Sequence, residues 1–324
     1  MSEEIFPYEV SKIRLKELNL LTKHELENMA DETDINKIIS ILIEKRYVFD
    51  TIDKIEDFEI VLKKKTEKLY NLIKELIPNT KFANIFLCKN DYHNLKLILK
   101  ANIIGKDYKD YLIDLGTIEV SKIESAIENK DYSVFSEQMR QGVQMIFDTP
   151  EYMNNPYIID CILDAKNYEE MLSISRETKS DFIIKYVKRV INLTNIKTFF
   201  RIFRKFSRDK KIFDLAYIEG GSIRKNVFME SFSQDLQNSK LKSEVYKEIY
   251  DEALYNPETF DKFCDNYIMS YMKEAKLKAL TIEPIVAYIY GKETEIKNIR
   301  ILFTGKVNNI SPQIIKERFR ESYV

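Results

Sequence analysis

Lys292-Glu293-Thr294-Glu295-Ile296-Lys297-Asn298-Ile299-Arg300-Ile301-Leu302-Phe303-Thr304-Gly305-Lys306 decides how this chain is read. Ile296, Ile299, Leu302 and Phe303 recur at helical spacing, so one face is apolar, and Glu295, Lys297 and Arg300 fall on the opposite face. The stretch holds no catalytic group. Two weaker copies lie upstream, His93-Asn94-Leu95-Lys96-Leu97-Ile98-Leu99 and Thr194-Asn195-Ile196-Lys197-Thr198-Phe199-Phe200, and both keep its Asn, apolar, basic core. Asn195 follows Asn94 by 101 residues and Asn298 follows Asn195 by 103. A period near one hundred in 324 residues predicts three related lobes, with Asn94, Asn195 and Asn298 in equivalent structural roles, capping or tying a neighbouring turn.

Turn signals carry the same period. Gly116-Thr117-Ile118 is echoed by Gly221-Ser222-Ile223, and Leu21-Thr22 is a matching start near the N-terminus. The lobes are therefore placed at 1–114, 115–219 and 220–324. Asn309-Ile310-Ser311 stands where a third such turn belongs, so the tail 309–324 reads as the opening of a fourth, incomplete copy. A short tail cannot bury its own face, so it is expected to pack beside the first lobe and close the three into a ring, funnel or collar.

The elements are helical throughout. Residues 8–20 offer Val10, Ile13, Leu15 and Leu18 for packing; 34–47 carry Ile35, Ile38, Ile39, Leu42 and Ile43 on one stripe. Thr22 with Glu25 fits a capping box, and Ser311 with Pro312 fits a helix start. No run alternates at the two-residue period of a strand, so the expected class is all-α.

Composition narrows the function. Fifty-one basic against 52 acidic residues leave a charge of −1, which gives no general reason to bind nucleic acid or an anionic membrane. There are 7 Gly and 7 Pro, well below the usual shares of about 7% and 5%, so long helices with short connections are expected. Scarce glycine also argues against a nucleotide cradle. Cys88, Cys161 and Cys264 form no CxxC unit, so neither a zinc site nor a disulfide framework is indicated. No apolar run approaches the ~20 residues of a membrane span, and the N-terminus lacks a leader pattern. The expected location is the cytosol, or a membrane surface reached through a partner.

His24 and His93 stand apart from any nucleophile–base pattern. Gly291-Lys292 and Gly305-Lys306 lack the rest of a P-loop and read as helix-end punctuation; Lys63-Lys64-Lys65 reads as a solvated helix face. No catalytic, cofactor or metal site is expected. One basic segment stands out: Arg201, Arg204, Lys205 and Arg208, flanked by Lys197, Lys210 and Lys211 and interleaved with phenylalanines. It is open to three readings: a solvated face, the contact for an acidic protein partner, or single-stranded RNA binding.

The residues from Glu283-Pro284 through Tyr288-Ile289-Tyr290-Gly291 and the opening stretch to Ile314–Val324 resemble the C-terminal signature of the C subunit of bacterial and archaeal V-type (A/V-type) ATPases, a relative of the eukaryotic d subunit. Residues 180–204 resemble that family's middle repeat and 8–29 its N-terminal start. Phe199 and Phe200 depart from it, standing where smaller apolar residues would serve. The resemblance implies an all-helical, three-lobed funnel that is not an enzyme. It implies a central-stalk rotor component on the cytoplasmic side of the membrane ring, joining ring to shaft for H⁺ or Na⁺ transport or ATP synthesis, with no cofactor. The competing reading is a free-standing helical scaffold that binds RNA or a regulatory protein.

Overall fold

The computed structural model describes residues 5–47, 57–78, 80–105, 107–206 and 208–324, and every regular element among them is helical. The chain divides into two compact units, Met1–Pro78 with Asp261–Val324, and Asn79–Phe260. The first unit opens with α1 (Pro7–Glu17), α2 (Lys23–Asp31), α3 (Ile35–Glu44) and α4 (Phe58–Leu76). The second holds α5 (Thr80–Ile104), α6 (Val120–Asn129), α7 (Glu137–Asp148), α8 (Pro150–Met153) and α9 (Pro156–Glu177). It continues with α10 (Asp181–Lys205), α11 (Lys210–Ala216), α12 (Lys225–Ser231), α13 (Lys240–Glu244) and α14 (Lys247–Tyr255). The chain then returns to the first unit with α15 (Phe260–Lys273), α16 (Glu283–Val307) and α17 (Pro312–Arg318). The all-α class expected from periodicity is the class found.

In the first unit the C-terminal helices supply the core onto which the N-terminal ones fold. Ile299, Leu302 and Phe303 of α16 and Ile315 of α17 pack with Leu26, Met29, Ile38 and Leu42 of α2 and α3, all at most 1% exposed. Phe58 of α4 stacks on Phe303 with ring centroids 5.4 Å apart. Helix starts are fixed locally. Thr22 and Glu25 form the reciprocal capping box, worth about 1 kcal/mol, and the Asp34 carboxylate accepts the Asn36 N–H at 2.9 Å. Ser311 occupies the N-cap of α17, but its hydroxyl makes no capping bond. Leu15 and Leu18, expected in the core, are 68% and 75% exposed; Val10 and Ile13 are the buried residues of α1.

The second unit has a core of Leu95 and Ile98 from α5, Met139, Val143 and Ile146 from α7, and Ile162 and Leu163 from α9. Phe199 and Phe200 have a clear packing role. Phe199 lies edge-on to Phe213 and tilted against Phe228 and Phe232, while Phe200 lies edge-on to Tyr250. Large rings fill a space that α11, α12 and α14 leave in front of α10.

Gly291 and Gly305 do not punctuate a helix end; both lie inside α16. A Cβ on Gly291 would stand 2.7 Å from the Tyr323 Cβ, so its bare backbone is what lets the C-terminal segment lie against the helix.

Candidate functional site

The three long helices α5, α10 and α16 are each 25 residues long, and each carries one of the repeated asparagines near its middle. All three asparagines are at most 1% exposed. Each spends its amide on the N–H and the carbonyl of one residue further down the chain. Asn94 donates from Nδ2 to the Ile113 carbonyl at 2.8 Å and accepts the Ile113 N–H at 2.9 Å. Asn195 does the same with Ile218, 2.9 Å both ways. Asn298 donates to the Arg320 carbonyl at 3.0 Å and accepts its N–H at 2.8 Å. A primary amide is the one neutral side-chain group that can donate to the carbonyl and accept from the N–H of a single residue. The pattern satisfies two backbone groups, buried at Ile218 and part-buried at Ile113 and Arg320, outside any helix.

Left-handed residues precede these peptides in each copy: Gly105 at φ 68°, Arg208 at φ 61° and Asn309 at φ 53°. Asn309-Ile310-Ser311 therefore matches the end of a long helix. The position equivalent to Ile113 and Ile218 is Arg320, so the tail completes the third copy's pattern instead of opening a fourth. In the same unit α17 packs on α2, with Lys316 2.6 Å from Asp31.

Three residues before each asparagine a second acceptor captures the turn that leads into the next helix. Asp91 accepts the Thr117 and Ile118 N–H groups at 3.0 Å and the Thr117 hydroxyl at 2.7 Å. Burial pushes the Asp91 carboxyl up, against those three bonds, which favour its charged form. Asn192 accepts the Ser222 N–H at 2.8 Å. A Cβ at Gly116 or Gly221 would stand 1.9 or 2.6 Å from these acceptor oxygens, which explains why both turns begin with glycine.

The third such acceptor is Glu295, and its partner is not the following chain. Its Oε2 accepts the Leu21 N–H at 2.6 Å, its Oε1 accepts the Tyr47 hydroxyl at 2.7 Å, and Lys292 donates to Oε1. Leu21 immediately precedes the N-cap of α2, as Ile118 and Ile223 precede those of α6 and α12. Glu295 is thus 5% exposed and Lys292 4%, where helical patterning had put Glu295 on the solvated face. The correction has a clear cause: the carboxylate is fully partnered by groups distant in sequence. The Tyr47 hydroxyl is pushed well above its ordinary range by burial and by the Glu295 charge.

Lys65 also departs from the solvated-face reading. Its ammonium donates to the Lys45 and Arg46 carbonyls at 3.3 and 2.9 Å and lies 4.1 Å from the Tyr47 ring centre. Lys63 is exposed as expected. His24 bonds to Asn28 and His93 to the Tyr111 carbonyl, so neither faces a nucleophile. Cys88 and Cys161 are buried free thiols.

The basic segment does not converge on one point. Arg204 donates to the Ala253 and Leu254 carbonyls at 2.6 and 2.7 Å, closing the end of α14. Arg208 lies 4.0 Å from the Phe203 ring centre and Arg201 5.8 Å from that of Tyr157. Arg201, Lys205 and Arg208 are exposed, while Phe199 and Phe200 are buried.

The profile of the ATP synthase (C/AC39) subunit family matches residues 10–318. The chain is 27% identical over 321 residues to the C subunit of the V-type sodium ATPase of Enterococcus hirae, spanning 96% of this chain and 97% of that protein. It is 24% identical to the C subunit of the A-type ATP synthase of Methanocaldococcus jannaschii, over 96% and 85% of the two chains. With the same protein of Thermococcus kodakarensis the identity is 22%, over 96% and 89%. Among the described residues no helix is long and apolar enough to cross a membrane.

Proposed function

The chain belongs to the ATP synthase (C/AC39) subunit family, and from that membership we propose that it is a non-catalytic central-stalk subunit of a V-type rotary ATPase. In this reading it joins the rotating shaft of the soluble ATPase head to the membrane rotor ring, and torque passes through it during ATP-driven H⁺ or Na⁺ transport or ATP synthesis. The observation that carries the reading is the extent of the family match, residues 10–318, which takes in all three long helices and both turns.

The physical character of the chain supports a torque-bearing role. Each long helix is tied to a later turn by a buried two-bond clamp, and only 7 glycines are available to loosen 324 residues. In this proposal the lobes 1–114, 115–219 and 220–324 form a three-lobed collar on the cytoplasmic face of the ring, and the membrane is reached through the ring alone. Its partners are the shaft and ring subunits. The exposed Arg201, Lys205 and Arg208 are offered to an acidic surface of one of them.

The test is affinity isolation of the tagged chain from its native membranes, followed by mass spectrometry. Recovery of head, stalk and ring subunits together is expected. A lone chain, or one carrying RNA, overturns the reading. Reversing Arg201, Lys205 and Arg208 to Glu is expected to weaken that assembly; assembly left intact removes the contact.

A further inference from the structure

The first unit contains a cavity of about 630 Å³ whose ionisable lining is basic with no carboxylate. Lys12 and Lys16 enter from α1, and Lys45 and Arg46 from the end of α3. Lys65 and Lys68 enter from α4 and Lys292 from α16, so four elements converge their cations on one space. Leu15, Leu69, Leu72 and Tyr288 give it an apolar wall. The size is that of a small-molecule site.

Three of the cations are matched outside the cavity's ionisable lining: Lys12 by Glu75, Lys45 by Glu25 and Lys292 by Glu295. Lys65 is held by the two carbonyls described above and meets no carboxylate oxygen. Lys16, Arg46 and Lys68 pair with no carboxylate within 4 Å among the described residues. Burial, and then the charge of Lys292 beside it, pushes the Lys65 ammonium down to about 7, with Glu295 opposing. Arg46 also holds a left-handed backbone, φ 67°, which brings its carbonyl to Lys65. Glu295 acts on Lys65 and Glu75 on Lys16 only through space, without a direct pair.

We infer that this cavity is an anion site for a multiply charged phosphate-bearing molecule. Six of the seven cations are lysines, which bind phosphate as point charges, and Arg46 adds a fork that matches phosphate oxygens; so many cations on one space suit an anion of several charges, as phosphate esters are. The apolar wall suits the uncharged body of a phosphate ester. The source is either a free phosphate compound or the headgroup of an anionic lipid, and the two share the same recognition chemistry. The inference goes beyond the rotor reading and stands on the isolated chain.

The experiment uses the full-length protein and inorganic pyrophosphate as the probe, by titration calorimetry at low and high salt. The companion variant is Lys16→Glu/Lys68→Glu, which changes two groups with no described ion pair and is checked for an unchanged melting temperature. Saturable binding that weakens with salt, and weakens by roughly tenfold or more in the variant, is expected. Flotation with phosphatidylcholine vesicles, with and without phosphatidylglycerol, separates the sources. Vesicle binding that requires phosphatidylglycerol and is displaced by pyrophosphate assigns the site to a lipid headgroup; pyrophosphate binding without flotation assigns it to a free phosphate compound. No binding of either probe, or binding unchanged in the variant, overturns the inference. Crosslinks from Lys68 to an acidic partner segment in the assembled complex, with neither probe bound, would give the cavity to a protein instead.

Discussion

Asn195→Ala is the sharpest test of the repeated clamps. The substitution removes both hydrogen bonds to Ile218 and leaves that residue's N–H and carbonyl, in a residue 1% exposed, with no partner. Each unsatisfied buried group costs about 1–3 kcal/mol, so the loss is about 2–6 kcal/mol. For a body of this size roughly 2–4 °C accompanies each kcal/mol, which places the expected drop in melting temperature at roughly 4–24 °C. The assay is calorimetry of the purified chain beside Asn129→Ala. Asn129 is exposed and bonds only to Ser125, and its loss should cost under about 0.5 kcal/mol. Asn94→Ala and Asn298→Ala should lower the melting temperature in the same direction but by less, since they release part-buried groups of Ile113 and Arg320 that water can reach. If the three fall within the scatter of the Asn129 control, the clamps do not hold the fold and the equivalence has no energetic content.

Three further outcomes follow from buried groups near α16. Glu295→Ala strands the Lys292 ammonium, the Leu21 N–H and the Tyr47 hydroxyl and should cost about 3–5 kcal/mol, and Lys292→Met/Glu295→Leu should recover only the ammonium's share of it; urea melts that find the double variant as costly as the two single changes added would contradict this. Lys65 has its folded-state value lowered to about 7 against 10.5, so between those values the unfolded chain binds the proton and the folded chain does not. Stability therefore rises with pH across that window, by at most about 1.4 kcal/mol per unit from this group, and Lys65→Met should flatten the rise in urea midpoint between pH 7 and 9. Gly291→Ala drives a methyl to 2.7 Å from the Tyr323 Cβ and 2.9 Å from its Cγ. A net cost of about 1–2 kcal/mol is expected after the gain in helix propensity, with faster trimming of the C-terminal residues by carboxypeptidase.

The repeat was legible because a buried amide leaves a polar residue on an apolar helical stripe at a fixed period. What each asparagine holds was not, because its partner is a backbone group 19, 23 or 22 residues away. The glycines of the two turns announced themselves, but the oxygens of Asp91 and Asn192 that require them did not. Glu295 and Lys292 were hidden for a related reason. Charged residues are almost never fully buried unless paired, and the partners of Glu295 include Tyr47 and Leu21, 248 and 274 residues away. Leu15 and Leu18 show the opposite error, apolar spacing with nothing among the described residues to cover it. Side-chain chemistry says little about function in this chain; the family match carries that, and the clamps give it a mechanical sense.

The claim that this chain couples shaft to ring is tested most directly in membranes from which it has been deleted. Vesicles lacking the chain should still hydrolyse ATP through the soluble head but should not build an ATP-driven H⁺ or Na⁺ gradient, and adding back the purified chain should restore it. A gradient of undiminished size in vesicles without the chain would contradict the account.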